Sequence, residues 1–169
     1  GINLRLSRTH PKFLERLFAM EAPEIENGVV EIKAVAREAG ARSKIAVMSH
    51  DEHIDAVGSC VGQKGTRVNT ITAELSGEKI DIIPWSESPK ELVGNALSPA
   101  KVIAIEIDEA EHKASVAVAD DQLSLAIGKG GQNVRLAAKL TGWRIDIKGL
   151  GGEVAASDGE NVEIKKEEE

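Results

Sequence analysis

Val61-Gly62-Gln63-Lys64-Gly65-Thr66-Arg67-Val68 and Ile127-Gly128-Lys129-Gly130-Gly131-Gln132-Asn133-Val134 are two versions of one device. In each, two glycines three positions apart separate segments whose apolar residues recur at helical spacing, and in each the tripeptide Ile-Asp-Ile follows, at Ile80 and at Ile145. A single GxxG would say little, since 16 glycines among 169 residues yield roughly one such spacing by chance. Gly149-Leu150-Gly151-Gly152 also fits, but it follows an apolar strand pattern and opens a polar tail, so it reads as a linker.

The duplication extends outward from the glycines. Aligning Gly62 with Gly128 pairs Asp55 with Asp121, Val57 with Leu123 and Val68 with Val134. After a one-residue slip, Leu75 matches Leu140, Gly77 matches Gly142 and Ile80-Asp81-Ile82 matches Ile145-Asp146-Ile147. Upstream, Lys44-Ile45-Ala46-Val47 aligns with Lys113-Ala114-Ser115-Val116, and Pro11, Lys12 and Leu14 align with Pro89, Lys90 and Leu92. A unit of about 70 residues is too long for a solenoid repeat, so it reads as two copies of one small domain. Each copy lies near the lower size limit for an independent core.

The net charge of −7 hides a local pattern. Residues 149–169 supply −5 of it, leaving −2 on the other 148 residues. No acid lies between Asp55 and Glu74, where Lys64 and Arg67 flank the first glycine pair. None lies between Asp121 and Asp146, where Lys129, Arg135, Lys139 and Arg144 give +4. Basic charge is thus gathered around both loops, the footprint of a polyanion site. Hydrophobic residues at 41% suffice for a core, charged residues at 29% keep the surface polar, and no apolar run approaches a membrane span. Gly1–Arg8 lacks the pattern of a signal peptide. One cysteine, Cys60, excludes an internal disulfide and suits a reducing compartment, so the chain reads as soluble and cytoplasmic, without a membrane partner.

The expected elements follow one order twice. Pro11 to about Glu21 reads as a helix opened near Thr9 or His10 and ended at Pro23. Residues 29–37 and Lys44–Met48 read as a strand hairpin turning at Gly40. Ser49 and Glu52 suggest a capping box for a helix carrying Ile54, Val57 and Val61; after the loop, Val68, Ile71 and Leu75 mark another helix, and Lys79–Ile83 a third strand. Helix, strand, strand, helix, GxxG, helix, strand then recurs from Ser88 to Lys148. The fold class is α+β, two tandem domains, each with a three-stranded sheet and helices packed on one face.

Glycine at both ends of such a loop allows close backbone approach, and the loop delivers N–H groups to a helix start where the macrodipole favours an anion. A sugar-phosphate backbone fits that seat. The candidate RNA-binding residues are Gly62, Gln63, Lys64, Gly65 and Arg67 in the first copy, and Gly128, Lys129, Gly130, Gly131, Gln132, Asn133 and Arg135 in the second. Val57, Cys60 and Val61, with Leu123, Ala126 and Ile127, are candidates for the floor of a narrow groove for bases; as ordinary core they need no ligand. Two Phe, two Trp and no Tyr leave little for stacking platforms, so recognition should use groove shape and base-edge hydrogen bonds.

Enzyme readings are weaker. Neither loop has the spacing of a P-loop or a dinucleotide fingerprint, so no nucleotide cofactor or small-molecule substrate is expected. His50, Asp51, Glu52, His53 and Asp55 carry metal-ligand chemistry, which keeps a metal-dependent hydrolase as an alternative. The second copy has no matching histidine pair, and acids at a helix start need no metal. A protein-interaction module without RNA binding is the other alternative.

The paired units resemble KH domains of the bacterial type, and as a pair they are similar to the RNA-binding core of the NusA family of transcription factors. The resemblance is carried by Leu6 to Pro11 (LSRTHP), Val35 to Val47 (VAREAGARSKIAV), Glu74 to Ile83 (ELSGEKIDII), Asn95 to Val102 (NALSPAKV) and Leu123 to Asn133 (LSLAIGKGGQN). It implies binding of nascent single-stranded RNA during transcriptional pausing, termination and antitermination, with RNA polymerase and other transcription factors as partners of a longer protein. The expected division is 1–8, the last strand of a preceding OB-fold; 9–85, the first KH domain; 86–149, the second; and 150–169, an acidic disordered tail in which Val154, Val162 and Ile164 offer a weak strand as the alternative. The linker Pro84-Trp85-Ser86-Glu87-Ser88 is too short for free tumbling. The domains should therefore dock, with Trp85 as an apolar plug and one RNA strand of roughly eight to eleven nucleotides crossing both loops.

Overall fold

The computed structural model describes residues 6–165. Most of the expected remnant of a preceding domain lies outside the described residues, and positions 6–8 are not in a strand. In the first domain the elements are α1 (Pro11–Glu21), α2 (Pro23–Glu26), β1 (Val30–Glu38), β2 (Arg42–Ser49), α3 (Ala56–Val61), α4 (Thr66–Glu74) and β3 (Lys79–Pro84). Proline occupies the first turn of α1, and the His10 ring accepts a hydrogen bond from the Lys12 N–H at 3.1 Å, satisfying a donor that the helix itself leaves free. Leu14 and Phe18 on the buried face of α1 pack with Ile45, Val47, Ile71 and Leu75. The sheet order is β1-β2-β3, with β1 antiparallel and β3 parallel to the central β2.

The expected capping box at Ser49 and Glu52 does not form. Ser49 is held as the last residue of β2, opposite Val30. Its hydroxyl accepts from the Asp51 N–H at 3.1 Å in a local turn, and α3 begins only after Asp55. Strand pairing outcompetes a local capping signal here, because the ladder fixes the serine's backbone before the helix starts.

The second domain runs α5 (Pro89–Ala96), β4 (Ala104–Asp108), β5 (Lys113–Ala117), α6 (Leu123–Ile127), α7 (Gln132–Thr141) and β6 (Arg144–Gly149), then continues into β7 (Gly152–Ser157) and β8 (Val162–Ile164). Its sheet has five strands in the order β4-β5-β6-β7-β8. Two expectations are corrected. The three-stranded sheet describes the first domain only, and the tail expected to be disordered from residue 150 folds into an antiparallel hairpin over 152–164. The glycine run 149–152 is the turn into that hairpin, with Gly149 opposite Gly152, not a linker. The hairpin contains Val154, Val162 and Ile164, the residues of the weak-strand alternative, and it docks through small residues, Ala155, Ala156 and Ser157, all buried. Its tip is closed by Asp158, whose carboxylate accepts from the Glu160 and Asn161 N–H groups at 2.9 and 2.7 Å.

The sheets also correct the sequence alignment. Asp81 lies opposite Lys44 on β2, whereas its counterpart Asp146 lies opposite Ser115 on β5. Lys44 therefore corresponds to Ser115, and Arg42 to Lys113, two positions from the match read along the sequence. Each of that second pair makes an ion pair to the shared aspartate: Arg42 to Asp81, and Lys113 to Asp146 at 3.7 Å. A slip of two preserves the inside-outside alternation of a strand, so the pattern of apolar residues does not detect it.

The two domains share one core. Ala36, Ala46 and Ile83 of the first sheet join Val93, Leu97, Leu136 and Ala137 of the second domain. Helix α7 lies between the sheets, touching β1 and β2 as well as β6 and β7. It buries Val134, Leu136, Ala137, Ala138 and Leu140, while α4 buries only Ile71. Trp85 packs against this shared core as the expected plug, with the Lys33 ammonium 4.9 Å from its ring centroid. Lys44 is fully buried at the same junction and donates to Asp81 and to the Ser98 carbonyl, both at 2.8 Å.

Candidate nucleic-acid interface

The two GxxG loops have the same backbone. Gly62 and Gly128 both stand at φ 77°, ψ 171°, and Gly65 and Gly131 in the left-handed region at φ 75° and 76°. Between them Lys64 and Gly130 share positive φ, at 54° and 62°. Each loop is closed by the last glycine N–H donating to the first glycine carbonyl, at 3.2 and 3.1 Å. The first glycine is obligatory for a second reason. A Cβ on Gly62 would lie 2.9 Å from the Arg67 backbone nitrogen, and one on Gly128 would lie 2.7 Å from that of Asn133. The helix start is drawn so close to the preceding helix end that only hydrogen fits.

Neither α4 nor α7 has a side chain capping its N-terminus. Their first N–H groups, those of Thr66 and Gln132, donate to the Gln63 and Lys129 carbonyls of a loop whose tip carries an exposed lysine, Lys64 or Lys129. Gln63 and Gly130 are exposed beside them. Nine or ten aligned residues follow, long enough for the helix dipole to favour an anion at this end.

Other candidates have structural partners. Arg67 donates to Glu24 of α2 at 2.8 Å and to the Ser59 carbonyl at 2.7 Å, bracing the back of the first loop. Asn133, which takes the Arg67 position in the second copy, is fully buried and donates to the Leu97 and Ala126 carbonyls at 3.1 and 3.0 Å. Arg135 and Gln132 both reach across to Glu38 at the end of β1. Cys60 and Ala126 are fully buried, so they are core and not groove floor. Burial pushes the Cys60 thiol up to about 12, which keeps it protonated. Val57, Val61, Leu123 and Ile127 are half-buried.

Glu24 and Glu38 had no signal in the sequence. Both are acids far along the chain from the loops they hold, and only the fold brings them there. The residues of the metal alternative are not gathered: His50 meets Glu31 at 2.8 Å, while the His53 side chain is exposed on the turn. Among the described residues no three His, Cys, Asp or Glu side chains form a metal-ligating group, and no helix is long and apolar enough to cross a membrane.

A three-stranded sheet with one parallel pair, and a helix-GxxG-helix unit packed on it, is the architecture of a KH domain; the first domain has it, and the second carries it as β4-β5-β6 within its five-stranded sheet. The model of the NusA-like first KH domain matches residues 8–85, and that of the NusA-like second KH domain matches residues 89–153. The chain belongs to the family of NusA-like tandem KH domains. It is 62% identical over 148 residues to the "Transcription termination/antitermination protein NusA" of Bacillus subtilis, covering 88% of this chain and 40% of that protein. It is 58% identical over 148 residues to the protein of the same name from Thermus thermophilus, covering 88% of this chain and 38% of the relative. The chain thus spans about two fifths of the length of these curated relatives. Among solved structures it is similar to the crystal structure of APE1850, with a TM-score of 0.50 and 23% identity over 75% of this chain and 86% of that one. That likeness concerns the fold.

Proposed function

We propose that the chain binds single-stranded RNA at its GxxG loops, as part of a NusA-like factor acting in transcription termination and antitermination. The observation that carries this reading is the pair of loops with matching dihedrals, each presenting an exposed lysine at a helix start that no side chain caps. Nothing in the shared core requires an uncapped helix start or a lysine at positive φ. Both suit a phosphate held by backbone N–H groups with a mobile cation above it.

Lys64 and Lys129 are the direct phosphate ligands in this reading, with the Gln63 and Gly130 positions beside them. Arg67, Asn133, Gln132 and Arg135 hold the loops in place. Val57 and Val61 offer partly exposed apolar surface to bases beside the first loop. The chain acts as a binding module, not an enzyme; RNA polymerase and other transcription factors are partners of the longer protein to which such a segment belongs.

The test is the double substitution Gln63→Asp with Lys64→Asp, which places anions on the phosphate seat. Loss of charged hydrogen bonds worth about 1.5–3 kcal/mol should weaken RNA binding roughly tenfold to a hundredfold, with cooperative unfolding retained. Unchanged affinity in a folded variant overturns the assignment of the first loop.

A further inference from the structure

In the first domain the path beside the loop is open. β3 is the edge of its sheet and pairs on one side only. A Cβ on Gly65 would meet nothing nearer than the Asn69 side chain of its own helix, at 3.2 Å. Where the start of α3 meets the end of β3, a cleft of about 520 Å³ is lined by Val57, Pro84 and Trp85 among others. An unpaired strand edge carries free N–H and C=O groups, and single-stranded RNA is read by hydrogen bonds to splayed base edges. The open edge and the phosphate seat together make a complete site.

The second domain has the same parts, and its C-terminal hairpin covers the strand edge and the last glycine of the loop. β7 pairs along the edge of β6 that corresponds to the free edge of β3. At one end of this path, Gly149 stands in the place of Pro84 and closes against the domain's own residues, where a Cβ would lie 3.1 Å from Leu123 and 3.3 Å from the Asp120 carboxylate. At the other end Val162 of β8 sits on the loop itself: a Cβ on Gly131 would lie 2.5 Å from its Cγ1. Beyond it, the hairpin tip rests on the last turns of α7, with Gly159 close against the Lys139 backbone. Gly131 is buried where Gly65 is half-buried, although the two loops have the same dihedrals.

We infer that the hairpin is a built-in occupant of the second domain's groove, so that base reading is confined to the first domain and the second loop serves as a phosphate clamp. Lys129 and Gly130 remain exposed at the tip, so the clamp is still accessible. The edge against which bases would be read is not. The occupant is acidic: Glu153, Asp158, Glu160 and Glu163 line it, and Glu163 lies 3.8 Å from Arg144. It thereby adds negative charge beside Arg144, which Asp146 of the same strand already holds at 3.1 Å. The matched model of the second domain ends at residue 153, so nearly the whole hairpin, residues 152–164, lies past it. The two domains share a fold, but this segment makes their grooves unequal.

The inference rests on the RNA reading above, and the experiment separates the two. The complete chain is used to select from a pool of RNAs randomised over twelve positions. One contiguous block of about four preferred bases is expected, and two such blocks overturn the inference. Hydrogen exchange on the complex with a selected RNA gives a second readout. The β3 amides should gain protection while the β7 and β8 amides stay as protected as in the free chain; opening of β7 and β8 on binding overturns the inference. The variant Val162→Gly, which empties the seat over Gly131 without adding a charge, should add a second block of preferred bases and raise affinity for a ten-nucleotide RNA at least about tenfold, as a linked second site does. If that variant does not fold, selection and exchange on the unmodified chain still decide. Absence of any RNA selection overturns the RNA reading itself; selection of one block with an opened hairpin overturns only the inference.

Discussion

Glu38, the last residue of β1 in the first domain, accepts a hydrogen bond from the Arg135 guanidinium of α7 in the second domain at 2.6 Å. Its other carboxylate oxygen accepts from Gln132, the first residue of that helix, at 2.8 Å. Arg135 also reaches the Gly130 carbonyl of the second loop at 3.4 Å. One carboxylate of the first domain therefore sets where the second loop stands. This tie, with Lys44 on the Ser98 carbonyl, makes the two KH domains a single surface and not beads on a linker.

Glu38→Ala should loosen this junction. The pair is about three-quarters buried, so its loss should cost about 1–3 kcal/mol in denaturant unfolding. Arg135 is then free for phosphate. The slope of log affinity against log salt should steepen by somewhat under one, as for one added phosphate contact on a single strand. An unchanged slope would show that Arg135 lies out of reach of the RNA.

Salt dependence of the unaltered chain should be moderate. Arg67 and Arg135 are engaged by Glu24 and Glu38, so about three or four phosphates remain for the exposed lysines and loop N–H groups. At roughly 0.7 per phosphate on single strands, the slope should be about −2 to −3. A titration series between low and physiological salt measures it, and a slope steeper than about −4 would mean that these ion pairs break on binding.

Acid stability should depend on Glu78. Burial by itself would push its carboxyl up, but Arg37, the Gly40 N–H and the Ser43 hydroxyl outweigh it and hold the group below the ordinary 4.5. A carboxylate depressed in the folded state stabilises fully above its unfolded value, and that stability is lost as pH falls through the folded one. Unfolding followed between pH 5 and pH 2 should show this limb. Glu78→Gln should flatten it and, by leaving Arg37 buried without a counter-charge, cost about 3–5 kcal/mol at neutral pH.

The alkaline side should depend on Lys44. Burial lowers it from 10.5 to about 8 even though Asp81 opposes the shift. Between these two values the unfolded chain holds a proton that the folded chain has released, so this group's contribution to stability rises with pH. Lys44→Met keeps the stem and leaves Asp81 with Arg42 at 2.9 Å. The variant should lose the alkaline rise, as measured by denaturant midpoints from pH 7.5 to 10.5.

What the sequence by itself determined was the local grammar and its duplication. Prolines at helix starts, the alternation of β1, the glycine pairs and the repeated Ile-Asp-Ile strands are short-range signals, because the dihedrals and faces they dictate depend on neighbours a few residues away. They sufficed for two α+β units and for the two loops. Only the tertiary structure decided what those units do to each other. α4 and α7 are counterparts with a one-residue slip, yet α7 is sandwiched between two sheets, and its Leu136-Ala137-Ala138 run reads as core only once the first sheet is laid on it. Arg67 and Arg135 looked like free cations until Glu24 and Glu38 arrived from 43 and 97 positions away. The tail's small residues looked too weakly apolar to fold, since alanine and glycine give little periodic signal. They form a hairpin because β6 offers an unpaired edge and Gly131 leaves a seat for Val162, two conditions set by packing and not by the tail's own composition.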